Sequence, residues 1–370
     1  MLLRDPFLPL DANDDNGDDN CPPTGSIGLT RIYLELTPVC NNRCPGCLNE
    51  SFIHNFDDRQ ISSIFQRPTV NEIEWLNIIE QLPRSIKIML SGGEPTLYRD
   101  FAHLTKEINL RGHPFVVFSN GRWTNHKKLL SHLRTCGNLK GILISLHGAT
   151  ANSHDSFTGI EGSFYETKMN ISNAIEAGLP VKLSTVITCD NYQEIDEIVK
   201  LAQSLKAKSI TFNRYLYTPR RADLIGVKVH LPTEKQLIDA IRRVERAKES
   251  TNLHIRYGPT LPQCFESSSS VGCSAGESSL VIDPWGNVKP CLQTDLLCGN
   301  ILENDLETIL NGDKLKMWHN LADSSCTSCD AFSQCGGGCR AMILSWRQKV
   351  DPLMRLPILK MENSLSSTGF

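Results

Sequence analysis

Six short apolar runs dominate the first two thirds of the chain: residues 31–36 (RIYLEL), 86–90 (IKIML), 115–118 (FVVF), 142–146 (ILISL), 181–188 (VKLSTVIT) and 209–216 (SITFNRYL). Rich in Ile, Val, Leu and Phe, they predict β-strands. The stretches between them repeat apolar residues at helical spacing. After the first strand, Ile73, Leu76, Ile79 and Leu82 share one face, and Thr69 with Glu72 three residues later forms a capping box. Gly112 and Gly178 stand where the second and fourth helices should end, because glycine accepts the left-handed backbone that closes a helix. Alternating strands and helices predict a parallel α/β sheet, either open and doubly wound or curled into an incomplete barrel. Periodicity leaves both open.

A further amphipathic helix, PTEKQLIDAIRRVERAKES, is expected from about residue 232 to 250. Beyond residue 260 the strands shorten, cysteines crowd together and a GGG run appears at 336–338, which predicts a small second domain held by metal sites. The expected organisation is a disordered acidic tail over 1–28, a core over 29–230, a linking helix over 231–259, a cysteine-rich domain over 260–345 and a C-terminal tail over 346–370.

Length supports that division, since 370 residues exceed one ordinary domain. The 38 basic and 41 acidic residues give a net charge of -3, which excludes a nucleic-acid footprint and a polybasic membrane anchor. Residues 1–28 carry six aspartates around DANDDNGDDN and almost no apolar periodicity. The opening MLLRDPFLPL is broken by Arg4, Asp5 and Pro6, and no stretch approaches the ~20 apolar residues of a membrane span. A cytoplasmic protein is expected. Fourteen cysteines in so long a chain, without a secretion signal, point to metal or cluster ligation rather than to disulfides.

Directly after the first strand, TPVCNNRCPGCLNE places Cys40, Cys44 and Cys47 in a CxxxCxxC spacing. Three thiolates on one loop suit three irons of a cubane and leave the fourth for a chelating ligand. A zinc knuckle is the alternative, but it would supply a fourth Cys or His nearby, and the closest downstream histidine is His54. The second strand runs into Ser91-Gly92-Gly93-Glu94-Pro95, the third into Ser119-Asn120-Gly121, and the fourth into Ser145-Leu146-His147-Gly148. Together these motifs resemble the radical S-adenosylmethionine (SAM) enzymes.

The resemblance covers approximately residues 30–225 and implies a partial (β/α)6 barrel with its active site at the C-terminal strand ends. It implies a 4Fe-4S cluster on Cys40, Cys44 and Cys47 whose unique iron is chelated by SAM. Gly92, Gly93, Glu94 and Pro95 would bind the methionine part, with Glu94 near its ammonium group. Ser119, Asn120 and Ser145 would contact the ribose and methionyl group, unless they are ordinary polar strand ends. Arg214 would pair either with the SAM carboxylate or with a structural partner. One-electron cleavage of SAM to methionine and a 5′-deoxyadenosyl radical is the implied chemistry, so a low-potential electron donor is required. Gly46 departs from the aromatic residue that the family usually carries before the third cysteine.

The later cysteines read Cys264, then Cys273-x12-Gly286-x4-Cys291, then Cys326-x2-Cys329-x5-Cys335-x3-Cys339. This resembles the SPASM extension, which binds auxiliary iron–sulfur clusters. Carried across, Cys264, Cys273, Cys291 and Cys339 would hold one auxiliary cluster, and Cys326, Cys329 and Cys335 a second. The family expects one further cysteine downstream, and residues 340–370 contain none. An open iron, Asp330, Asp351 or Cys298 would fill that place, although Cys298 also reads as a small buried hydrophobe. Structural zinc is the alternative for the whole region. Cys136 and Cys189 read as inert, and Cys21 lies in the acidic tail.

Members with this extension mostly modify ribosomally made precursor peptides; others mature sulfatases or act on tetrapyrroles. Leu292 stands where the sulfatase-maturing members carry an acidic base. The CNNRCPGC wording, with Pro45 and Gly46, resembles maturases of nitrile-hydratase-type leader peptides, including spliceases that excise a tyramine unit from a Tyr-Gly site. The implied partners are a precursor peptide and a small leader-binding protein. Peptide crosslinking is the alternative reaction. A non-catalytic iron–sulfur electron carrier is the alternative of another class, but it would not need GGEP, SNG and SLHG together.

Overall fold

The computed structural model describes residues 28–45, 47, 68–216, 230–258, 261–265, 272–322, 324–345 and 351–355. The acidic tail up to residue 27, Cys21, Gly46, His54 and most of the C-terminal tail lie outside these.

The six expected strands are β1 (Arg31–Glu35), β2 (Lys87–Ser91), β3 (Phe115–Ser119), β4 (Leu139–Ser145), β5 (Val181–Ile187) and β6 (Ser209–Arg214), all parallel to their neighbours. Two strands beyond the expected six join the same parallel sheet. β7 (His254–Gly258) pairs with β6, and β8 (Ser279–Ile282) pairs with the free edge of β1. β9 (Asn287–Lys289) and β10 (Gly299–Asn300) continue antiparallel from β8, which completes ten strands. The cysteine-rich region therefore begins as an extension of the core sheet rather than as a separate body.

Alternation along each strand sorts the side chains. Ile32, Leu34, Ile88, Leu90, Val117, Ile142 and Ile144 point outward into a continuous apolar core. Tyr33, Met89, Phe118 and Leu143 point inward, and the sheet curls so that residues of β1 through β8 line one cavity of about 760 Å³. Such a curled parallel sheet is the incomplete barrel.

The outer face is covered by helices. α1 (Glu72–Glu80) buries Trp75, Ile78 and Ile79 and leaves Ile73 exposed. Its capping box is Asn71 with Glu74, two residues later than Thr69 with Glu72. The shift has a cause: the Val70 N–H donates to the Pro284 carbonyl at 2.8 Å, which ties residue 70 to the β8–β9 turn. α2 (Phe101–Leu110), α3 (His126–Leu133), α4 (Ala151–Thr158), α5 (Ser163–Glu176) and α6 (Ile195–Ser204) follow. Gly112 and Gly178 take φ +84° and +77° just past α2 and α5. α4 is the extra helix that makes Gly178 close the fifth rather than the fourth.

α7 (Glu234–Ser250) starts at the Thr233–Gln236 capping box. It buries Ala240, Val244 and Ala247 in the main core. Burying Val244 alone is worth about 2 kcal/mol. The helix expected as a link packs on the outer face of the sheet.

Two buried ion pairs join the cysteine-rich region to the core. Lys289 on β9 donates to Glu35 on β1 at 2.8 Å. Burial pushes the Glu35 carboxyl above the ordinary carboxylate range, and the Lys289 ammonium opposes that shift. The second pair, Arg214 with Asp351, belongs to the site.

Candidate active site

Backbone geometry explains the two glycines after β2. Gly93 N–H donates to the Thr37 carbonyl at 2.7 Å and Glu94 N–H to the Val39 carbonyl at 2.8 Å. A Cβ on Gly92, at φ +132°, would fall 2.6 Å from the Thr37 oxygen, and one on Gly93 would fall 2.3 Å from the Val39 oxygen. No side chain fits. Both glycines line the cavity. Their bare sides, however, face the chain that leads into Cys40 rather than a ligand.

Glu94 differs from its expectation in the same way. It is fully buried and is not among the residues lining the cavity. Its carboxylate accepts from Thr96 N–H (3.2 Å), Thr96 hydroxyl (2.7 Å), Ser119 hydroxyl (3.0 Å) and Asn120 N–H (2.8 Å). Burial pushes its pKa up, and these four bonds oppose the shift. Glu94 is therefore a strut between the GGEP turn and the end of β3. Pro95, also buried, begins a single turn of 3-10 helix, Pro95–Leu97.

At the β3 end, Ser119 and Asn120 line the cavity and also carry internal bonds. Ser119 Oγ also accepts from Gly121 N–H (3.0 Å) and Trp123 Nε1–H (2.7 Å). Asn120 donates through Nδ2 to Asn41 Oδ1 at 2.6 Å and to Cys40 Sγ at 3.7 Å, while Arg122 donates to the Asn41 carbonyl (2.5 Å) and Asn42 Oδ1 (3.0 Å). Asn41, Asn42 and Arg122 were not singled out from sequence; the CNNR wording is the signal for the two asparagines, and Arg122 directly follows the SNG motif. Ser145, at the end of β4, lines the cavity. So does His147, whose Nδ1 accepts from Val186 N–H at 3.2 Å. Burial, with His154 and His230 nearby, pushes the His147 pKa well down and keeps the ring neutral.

Cys40, Cys44 and Cys47 line the cavity beside Gly92 and Gly93. Burial pushes the thiols of Cys40 and Cys44 upward, and Cys47 and Cys40 push Cys44 further. Thiolates here require a compensating cation, which cluster iron supplies. None of the described cysteines is in a disulfide. Among the described residues, no three His, Cys, Asp or Glu side chains converge as a single metal ion would require. A zinc ion gathers its thiolates in one shell of ~2.3 Å, whereas a cubane holds them apart by its own width. Three thiols from one loop at the cavity, whose ionisation burial opposes, are a donor set that suits an iron–sulfur cluster.

Cys273, Cys291 and Cys339 face the same cavity. Burial pushes the Cys291 thiol upward, reinforced by Cys273 and Cys339. Cys264 lies outside the cavity lining; burial pushes its thiol upward, with Cys335, Asp351 and Cys329 adding to the shift. Gly336, Gly337 and Gly338 take φ +65°, +82° and +87° between Cys335 and Cys339, and Cys339 lines the cavity while Cys335 does not.

Arg214 lines the cavity, and its buried guanidinium donates to both oxygens of Asp351, at 3.0 and 2.5 Å, the structural partner that was one of its two expectations. The Asp351 carboxylate further accepts from Cys339 N–H (2.8 Å) and Leu353 N–H (3.0 Å), which leaves it unsuited as a cluster ligand. Cys298 packs against the main core, and burial pushes its thiol to about 11, as befits a small hydrophobe. Cys136 is core as well. Cys189 is half-buried beside Asp190, and Asp330 is exposed.

Comparison with known proteins agrees with this geometry. Residues 34–202 match the Radical SAM superfamily, and residues 273–331 match the SPASM iron-sulfur cluster-binding domain. The PqqA peptide cyclase of Rhizobium meliloti is 28% identical over 331 residues, covering 85% of this chain and 83% of the relative. The AdoMet-dependent heme synthase of Oleidesulfovibrio alaskensis is 24% identical over 354 residues, covering 88% and 87%. The crystal structure of Streptococcus suis SuiB bound to precursor peptide SuiA superposes with a TM-score of 0.71 at 17% identity, covering 89% of this chain and 76% of that one. Among the described residues, no helix is long and apolar enough to cross a membrane.

Proposed function

We propose, for a chain that belongs to the radical SAM superfamily and carries a C-terminal SPASM domain, that the substrate is a ribosomally made precursor peptide bound in the central cavity. The cofactors are a 4Fe-4S cluster with SAM in the core and auxiliary clusters in the SPASM domain. When bound, they supply a 5′-deoxyadenosyl radical that removes a hydrogen atom from the substrate. Cys40, Cys44 and Cys47 would hold the first cluster, and Gly92, Gly93 and Ser145, which line the cavity beside them, would bind SAM. Glu94, Ser119 and Asn120 act indirectly, by ordering that edge and the cysteine loop. Tyr33, Met89, Phe118 and Leu143 wall the cavity and limit water, which protects a reactive intermediate.

The observation that carries the peptide reading is that one cavity is lined both by Cys40, Cys44 and Cys47 and by Cys273, Cys291 and Cys339. A substrate there meets both sites. Relatives support a peptide: one is named for cyclising the PqqA peptide, and SuiB was crystallised with its precursor SuiA. Leu292 lines the cavity where sulfatase-maturing members carry an acidic base, which argues against sulfatase maturation. The finer proposal, excision of a tyramine unit from a Tyr-Gly site, rests on the wording of residues 40–47. A low-potential electron donor, a small leader-binding protein and the reducing cytosol complete the proposal.

Co-expression with a precursor peptide encoded beside the gene, followed by mass spectrometry, tests it. Loss of a tyramine-sized fragment supports splicing, and loss of hydrogen alone replaces splicing with crosslinking. An unaltered peptide, with SAM cleavage active and the small partner supplied, overturns the peptide reading. The heme synthase relative makes a tetrapyrrole the next substrate to try.

A further inference from the structure

We propose that the rings of His147 and Phe157 form the seat for the adenine of SAM, with His147 Nε2–H donating to one of its ring nitrogens. The inference rests on SAM binding beside Cys40, Cys44 and Cys47, as proposed above. SAM carries a single flat aromatic group, whose faces stack and whose ring nitrogens accept hydrogen bonds. A seat for it offers an aromatic face and a donor of fixed direction.

His147 is such a donor. The Val186 N–H donates to Nδ1 at 3.2 Å, so that nitrogen is an acceptor and the proton of the neutral ring sits on Nε2. The backbone is held on both sides, since His147 N–H donates to His154 Nδ1 at 3.0 Å and the His147 carbonyl accepts from Asn191 Nδ2 at 2.7 Å. Phe157 packs against the ring with 4.0 Å between centroids. Each of the two residues is only 6% exposed, yet both line the cavity. Nε2 bonds to no group among the described residues, so a buried side chain keeps one donor for a ligand to satisfy.

Position selects the ligand. His147 follows Ser145 by two residues at the end of β4, and both line the cavity. Phe157 lies on the last turn of α4, which is tied to the cysteine loop: Arg43 N–H donates to the Thr158 carbonyl at 2.8 Å, and a Cβ on Gly159 would fall 2.5 Å from the Arg43 carbonyl. The two rings therefore adjoin both elements proposed to hold SAM, the loop of Cys40, Cys44 and Cys47 and the strand end of Ser145.

The test measures SAM binding rather than turnover, on the full chain reconstituted without oxygen. His147→Phe keeps an aromatic face and removes the donor, and should weaken SAM about tenfold with iron content unchanged. Analogues of SAM in which one purine ring nitrogen is replaced by C–H locate the bond. The native protein should bind one of them about tenfold more weakly than SAM, and His147→Phe should bind that analogue and SAM alike. Phe157→Leu keeps an apolar filling but loses the stacking face, and should weaken SAM and every analogue about fivefold or more. Unchanged SAM affinity in either variant overturns the seat, and so does a peptide affinity that falls in its place. Should His147→Phe fail to fold, the analogues on the native protein give the second measurement, and equal affinity for SAM and all of them overturns the hydrogen bond. Failure of the underlying reading looks different, because then the native protein binds no SAM, or binds it equally well after Cys40, Cys44 and Cys47 are changed to Ala.

Discussion

The loop bearing Cys40, Cys44 and Cys47 and the region bearing the C-terminal cysteines offer the same thiol chemistry on opposite kinds of scaffold. The first is one continuous segment at the mouth of β1, pinned by backbone bonds to the GGEP turn and clamped by Asn120 and Arg122. The second gathers Cys264, Cys273, Cys291 and the 326–339 segment, and it depends on side chains as distant in sequence as Arg214 and Asp351, 137 residues apart. A site built within one loop tolerates changes far away. A site assembled from several segments inherits the stability of every joint.

The largest expected effect lies at the first site. Changing Cys40, Cys44 and Cys47 together to Ala should abolish SAM cleavage while iron and sulfide analysis still finds the auxiliary clusters. Full cleavage by that variant would dissolve the contrast, since the auxiliary sites would then hold the SAM-binding cluster.

Next comes a joint of the second site. Arg214→Met leaves the Asp351 carboxylate buried without its cation and should cost about 3–5 kcal/mol in anaerobic urea unfolding, with SAM affinity retained. Lost SAM affinity at unchanged stability would return Arg214 to the SAM site.

Gly93→Ala should cost about 1–3 kcal/mol, because the added methyl is directed at the Val39 carbonyl. Its mark should be selective, with iron lost from the first cluster and kept in the auxiliary ones. Equal loss from both would mean that the two regions are not independent.

The smallest effect concerns pH. Burial holds the Glu35 carboxyl above its ordinary value despite Lys289, so the folded state binds that proton more tightly than the unfolded chain. The stabilising contribution is complete below the ordinary carboxylate pKa of ~4.3 and is lost as pH rises through the raised value. Relative to Glu35→Gln, the native protein should therefore lose stability from mildly acidic toward neutral pH, measured as unfolding midpoints. A gain instead would show that Lys289 outweighs the burial.

Sequence alone determined whatever repeats within a few residues. Short runs rich in Ile, Val, Leu and Phe marked β1 to β6, helical spacing marked α7, and CxxxCxxC after a strand identified the first site, because those signals come from one segment's own residues. GGEP was legible as a motif, but not as a backbone wedge against Thr37 and Val39, since the clash that forbids a Cβ lies on another loop. Tertiary structure alone decided the rest. It set β7 beside β6 and β8 beside β1, moved the α1 cap by tying Val70 to Pro284, buried Glu94 among four donors and gave Arg214 to Asp351. Each of these is a pairing across the chain, where burial of charge and the search for a hydrogen-bond partner choose among many possible neighbours. No local spacing records which neighbour the fold brings near.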